Sequence, residues 1–204
     1  MPRFPALFAL LACLPLAAAD GATTAKAVFG GGCFWFMQTA FREVPGVVSA
    51  TVGYAGGRTE APTYEQVCDG GTGHAEVVLV EWDPARVGFP RLLDLFFAMH
   101  DPSTKDRQGP DVGTQYRSAL YTTTPEQLAQ AERAMAELRA RGRRITTELR
   151  PLPQDAGRFH PAEAYHQDYA TRNPEQPYCA LVVGGKLRHF RTLLAASAST
   201  GVRP

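Results

Sequence analysis

The sequence has little of what would place it in a specialised class. Four cysteines in 204 residues (Cys13, Cys33, Cys68 and Cys179) are too few and too irregularly spaced for a disulfide scaffold or a paired CxxC zinc site. Neither CxxC nor HExxH occurs, so no metal and no cofactor is expected. Lys plus Arg total 21 against 20 Asp plus Glu, and that balance leaves no electrostatic case for nucleic acid. Beyond residues 6–19 no segment is apolar for long enough to cross a bilayer, which takes about 20 residues. No internal repeat and no Ser/Gly linker divides the chain. What remains is 45% hydrophobic and 20% charged, the composition of one globular domain.

The opening residues have their own pattern. Arg3 supplies a positive end, residues 6–19 are apolar apart from Cys13 and Pro15, and Ala17-Ala18-Ala19 offers a small-residue cleavage site before the chain turns polar at Asp20. Residues 1–19 therefore read as a signal peptide, and 20–204 as one domain with its core over about 26–180 and a poorly ordered tail over 191–204. Export to a periplasm follows. Lipidation at Cys13 is the alternative reading.

Periodicity gives the element order. Residues 26–29 read as a buried strand running into Gly30-Gly31-Gly32, and 33–42 have the apolar density of a helix. Residues 47–54 and 75–82 read as strands, 89–99 as a helix with its apolar residues mostly on one face, and 117–122 as a further strand. That order, βαββαβ, predicts an α+β, ferredoxin-like two-layer sandwich with helices over one face of a largely antiparallel sheet. Thr124-Pro125-Glu126-Gln127 reads as a capping box opening an added helix to about residue 141, and 145–149 as an edge strand. From Gln154 onward Pro, Gly and polar residues predict a long loop region with one short helix over 161–169.

The chemistry-bearing residues stand out against this frame. Cys33 follows three glycines at the start of a helix, where unpaired N–H groups and the helix dipole favour a thiolate, and Phe34 and Trp35 place two apolar surfaces beside its sulfur. Glu76 interrupts an apolar strand; buried, its carboxyl pKa would rise and equip it as a proton donor, whereas on the solvent face of the strand it would do nothing. Tyr64 and Tyr116 offer phenolic donors, and Asp111 opens a dense polar run. Glu163 and His166 are spaced three apart, but the second half of a metal site is missing. Cys68 reads as a small buried hydrophobe, and Cys179 lies where a mobile segment would carry its sulfur to a distant partner.

With these motifs in view the chain resembles the A-type peptide methionine sulfoxide reductases from about residue 26 to residue 179. The resemblance rests on Gly31-Gly32-Cys33-Phe34-Trp35, Gly53-Tyr54-Ala55-Gly56-Gly57, Thr72-Gly73-His74-Ala75-Glu76, Asp101-Pro102-Ser103-Thr104, Arg107-Gln108-Gly109 and the runs 111–118 and 160–169, in family order. It implies Cys33 as nucleophile, Glu76 as general acid, and Tyr64 and Tyr116 around the sulfoxide oxygen. It further implies Cys179 as the resolving thiol, with Phe34, Trp35, Asp111 and His166 binding substrate. The implied reaction is reduction of methionine S-sulfoxide, free or in proteins, through a Cys33 sulfenic acid and a Cys33–Cys179 disulfide. A monomer acting on oxidised proteins or peptides, with a thioredoxin-like reductant, is expected; its role would be protein repair under oxidative stress. Many relatives carry Glu where this chain has Gln38, which leaves that position hydrogen bonding rather than charge. No cysteine follows Cys179, so a three-cysteine relay ending in the tail is not expected. Two other readings of the same thiols are a thiol peroxidase and a secreted binding protein with a permanent Cys33–Cys179 disulfide.

Overall fold

A computed structural model describes residues 24–152 and 158–199; the signal-peptide assignment over 1–19 and Cys13 lie outside the described residues. The chain runs β1 (Ala25–Gly31), α1 (Phe34–Arg42), β2 (Val47–Ala55), α2 (Tyr64–Cys68), β3 (Ala75–Trp82) and α3 (Phe89–Met99). A small hairpin, β4 (Arg107–Gln108) and β5 (Asp111–Val112), precedes β6 (Ser118–Thr122), α4 (Pro125–Ala140) and β7 (Glu148–Pro151). Then come β8 (His160–Pro161), α5 (Tyr169–Arg172) and a π-type turn, Cys179–Val183, that continues into α6 (Gly184–Ser199).

The main sheet has the order β7-β6-β1-β3-β2-β8. Its central four strands pair antiparallel throughout, with β3 between β1 and β2, so β1 and β2 run the same way, as a helical crossover between them requires. This is the expected split βαβ arrangement. β7 pairs with β6 in parallel after the crossover through α4, on the outer side expected of an edge strand.

Alternation sorts each strand into two faces. Ala27 and Phe29 of β1, Val52 and Tyr54 of β2, and Val78, Val80 and Trp82 of β3 join the cluster formed with α1, α3, α4 and α6. The opposite parity, Val28, Ala55, Ala75, Val77, Ala119 and Tyr121, forms a smaller cluster with Leu152 and Phe159 laid against it. Burying one aromatic or branched side chain is worth about 1.5–3 kcal/mol, so these two sets fix the strand register.

The C-terminal part departs from expectation. Residues 184–199, read as loop and tail, form α6. Gly184-Gly185 masks an apolar stripe, Val183, Leu187, Phe190 and Leu194, that packs on the main cluster. Residues 161–169 form no single helix: a 3₁₀ turn at Ala164–His166 is followed by Asp168 in the left-handed conformation (φ 57°) before α5. At α4 only half of the capping box forms. Thr124 accepts from the Gln127 N–H, while the Gln127 side chain accepts instead from the Thr123 N–H.

Candidate active site

The triple glycine does two jobs. Gly32 adopts φ +91°, and a Cβ there would fall 2.6 Å from the Gln108 side chain, so only glycine makes this turn beneath the 101–116 loop. Gly31 lies against the His100 ring; Nδ1–H of His100 donates to the Phe96 carbonyl at 2.6 Å, and the Ser118 hydroxyl donates to Nε2 at 2.7 Å. The turn delivers Cys33 to the N-cap of α1 without a side-chain cap of its own. The orphan N–H of Phe34 donates instead to Glu76 Oε2 at 3.0 Å.

That one bond answers the question the strand left open. Glu76 is on the parity of Val78 and Val80, under the helices, and only 2% exposed. It lines a cavity of about 160 Å³ together with Cys33, Phe34, Trp35, Tyr64, Asp111, Tyr116 and Tyr178. The resemblance assigned all of these except Tyr178 to the site, and the structure brings them together from the start of α1, from α2, β3 and β5, and from a 3₁₀ turn at Thr114–Tyr116.

The electrostatics favour protons. Burial pushes the Glu76 carboxyl up to about 8, against the pull of the Phe34 N–H and with the help of the Asp111 charge. Burial also pushes the Cys33 thiol up to about 12, the Glu76 charge adding to it, while the N–H groups of Trp35 and Phe36 and the Tyr178 hydroxyl pull it down. The expected thiolate is therefore corrected: the helix start acts in the foreseen direction, but desolvation outweighs it. Burial, then the Glu76 charge, pushes the Tyr64 and Tyr116 phenols well above their ordinary range, so both remain O–H donors.

The remaining assigned residues fall in different places. His166 does not line the cavity; it is 1% exposed behind Trp35, whose indole N–H donates to its Nδ1 at 3.1 Å, and it packs on the Tyr64 ring. Cys179 is 4% exposed at the start of the π-type turn, and its thiol is pushed up by burial. Cys68 is not a buried hydrophobe. It is partly exposed one helical turn from Tyr64, and its thiol interacts with the Tyr64 hydroxyl. Among the described residues Cys33, Cys68 and Cys179 are all free thiols.

Three residues carry more than their sequence context announced. Glu163 accepts from the Tyr64 N–H at 2.8 Å and the Tyr54 hydroxyl at 2.9 Å, fixing the start of α2. Gln38 is fully buried; it donates to the Ala50 carbonyl at 2.9 Å and to Gln167 Oε1 at 3.2 Å, and it accepts from the Asp168 N–H at 2.8 Å. Tyr178 donates to both Asp111 oxygens at 2.9 Å. Its only sequence signal was its place beside Cys179.

A family model described as peptide methionine sulfoxide reductase matches residues 25–197. A peptide methionine sulfoxide reductase MsrA of Nautilia profundicola is 51% identical over 165 residues, covering 81% of this chain and 93% of that protein. Among solved structures, reduced Mxr1 of Saccharomyces cerevisiae is 33% identical with a TM-score of 0.71, over 81% of this chain and 94% of that one. Mxr1 in complex with Trx2 is 25% identical with a TM-score of 0.51, over 76% of this chain and 91% of that one. A buried thiol, a proton-bearing carboxyl and two phenols around one apolar-walled cavity are what transfer of a sulfoxide oxygen to sulfur needs, and with this likeness over the whole described fold the chain belongs to the peptide methionine sulfoxide reductase family, as an oxidoreductase that reduces methionine sulfoxide.

Proposed function

We propose that Cys33 attacks the sulfoxide sulfur while Glu76 gives its proton to the sulfoxide oxygen, which lies between the Tyr64 and Tyr116 hydroxyls. The Phe34 N–H bond to Glu76 carries this reading, because it fixes the acid at the residue next to the nucleophile. The two raised pKa values then describe one coupled device. At neutral pH thiol and carboxyl both hold protons; once Glu76 passes its proton to the substrate, the thiol proton returns to the carboxylate and the sulfur is freed to react. Oxygen passes to Cys33, which loses two electrons and becomes a sulfenic acid, and methionine leaves. Phe34 and Trp35, supported by His166, form the apolar wall for the methyl group.

Cys179 resolves the sulfenic acid, and a thioredoxin-like protein reduces the resulting disulfide; the solved Mxr1–Trx2 complex supports that class of partner. The substrate is the S epimer, free or within oxidised proteins, and the likeness to peptide methionine sulfoxide reductases supports a role in protein repair. Residues 1–19 act as an export signal, so repair takes place outside the cytoplasm, on the strength of Arg3, the apolar run and Ala17-Ala18-Ala19. Reduced protein incubated with a methionine sulfoxide peptide should lose two thiols per methionine formed. Greater thiol loss with peroxide alone than with the peptide would favour a thiol peroxidase. Amino-terminal sequencing of exported protein should begin near Asp20, and a full-length cytoplasmic form would refute export.

A further inference from the structure

Asp111 lines the cavity, and two residues of the C-terminal segment contact it. The Tyr178 hydroxyl lies 2.9 Å from each carboxylate oxygen, and Lys186 Nζ lies 3.6 Å from Oδ2. Tyr178 directly precedes Cys179, and Lys186 follows the π-type turn in the first turn of α6. A single carboxylate from β5 thus anchors the chain on both sides of Cys179. The Lys186 ammonium is shut off from water and makes no hydrogen bond, its neighbours being the Asp111 charge and the Phe36 ring, 5.7 Å away. Such an ammonium is costly to bury, so attraction to Asp111 holds the segment down while rehydration of Lys186 favours its lifting.

We propose that Lys186 is a positioning residue for the second half of the reaction: through Asp111 and Tyr178 it keeps the Cys179 segment docked at the pocket while Cys33 is oxidised. This rests on Cys179 being the resolving thiol. In that step Cys179 gives up its proton and attacks the Cys33 sulfur; an S–S bond forms, the S–O bond breaks, and the oxygen leaves with the proton as water. Cys179 is oxidised and Cys33 reduced, with no outside electron donor. The two cysteines are distant in sequence, so the rate depends on how much of the time the segment occupies the pocket. Lys186 itself lies outside the cavity wall.

The test follows one turnover of the reduced full chain with a methionine sulfoxide peptide. Methionine release is read by chromatography, and the Cys33–Cys179 bridge by rapid alkylation and mass spectrometry. Lys186→Met should release methionine at the wild-type rate and form the bridge about tenfold more slowly, while Lys186→Arg, which keeps the charge, should stay within about twofold of wild type. Tyr178→Phe, which removes the other contact with Asp111, should also slow the bridge. Wild-type bridge formation in Lys186→Met overturns the proposal, as does equal slowing of release and bridge in that variant, and wild-type bridging in Tyr178→Phe overturns the route through Tyr178. A Cys33–Cys68 bridge in the unaltered chain would overturn it too, by removing Cys179 from the reaction altogether.

Discussion

Cys33 and Cys179 are both buried thiols, yet their surroundings are held in opposite ways. The strand before Cys33 is paired on both sides by backbone ladders, and the helix after it is capped by Glu76 from the next strand in the sheet. Cys179 has no strand ladder beside it: it starts a turn and helix that pack on the core through Val183, Leu187 and Phe190, and its segment is tied to the rest of the fold by side chains, the Gln176 amide on the Cys179 N–H, Tyr178 on Asp111 and Arg191 on Glu43. Backbone ladders in a core open only with global unfolding, whereas side-chain contacts release locally. On the proposed roles, Cys33 needs fixed geometry, and Cys179 needs a segment held at the pocket while the bridge forms and free to leave it for the reductant; the two kinds of support suit these two needs.

Cys33→Ser gives the largest expected effect. A hydroxyl is far less nucleophilic than a thiol, so sulfoxide reduction should fall to background in a peptide assay, and substantial activity would mean the rigid region does not hold the nucleophile. Cys179→Ser should separate the two regions cleanly. It should still release about one methionine per enzyme but fail to turn over with a thioredoxin-like reductant. Mass spectrometry should then find a sulfenic acid on Cys33, and continued turnover would erase the division of labour.

Glu76→Gln should slow single-turnover methionine release by about 10²–10⁴-fold and leave the later disulfide step alone. The wild-type rate should fall as pH rises through about 8, where Glu76 loses its proton, and the variant should lack that limb. The same group sets a stability difference. Its pKa is higher folded than unfolded, so its contribution is whole below about 4.5 and is lost as pH rises through about 8. Urea unfolding at about pH 4 and about pH 9 should show the Gln variant gaining on wild type at the higher pH, and no relative gain would deny the burial of the charge.

The smallest expected effect belongs to Gln38→Ala, which strips partners from the Ala50 carbonyl, the Gln167 amide and the Asp168 N–H at a cost of about 1–3 kcal/mol. Its signature should be regional. Hydrogen exchange should quicken across residues 160–172 while β1 and β3 keep their protection, and uniform loss would contradict the contrast drawn between the two regions.

The sequence by itself determined the six elements of the sandwich, because period-two strands and an apolar helical stripe are local patterns that burial enforces one element at a time. It also determined the position of Cys33 at a helix start, since three consecutive glycines permit little else there. Only the tertiary structure decided which face of β3 holds Glu76, because alternation gives parity but not the direction of the core. The thiol's protonation was likewise beyond reach: the helix start is local, while the desolvation that outweighs it comes from groups scattered from Cys33 to Tyr178. α6 was legible in Val183, Leu187, Phe190 and Leu194 but hidden by two glycines whose helix-breaking tendency the packing overrides. The contacts of Tyr178, Lys186 and Glu163 were not legible in the sequence, because each is made with a residue far away in the chain, and such pairs are chosen by the folded shape alone.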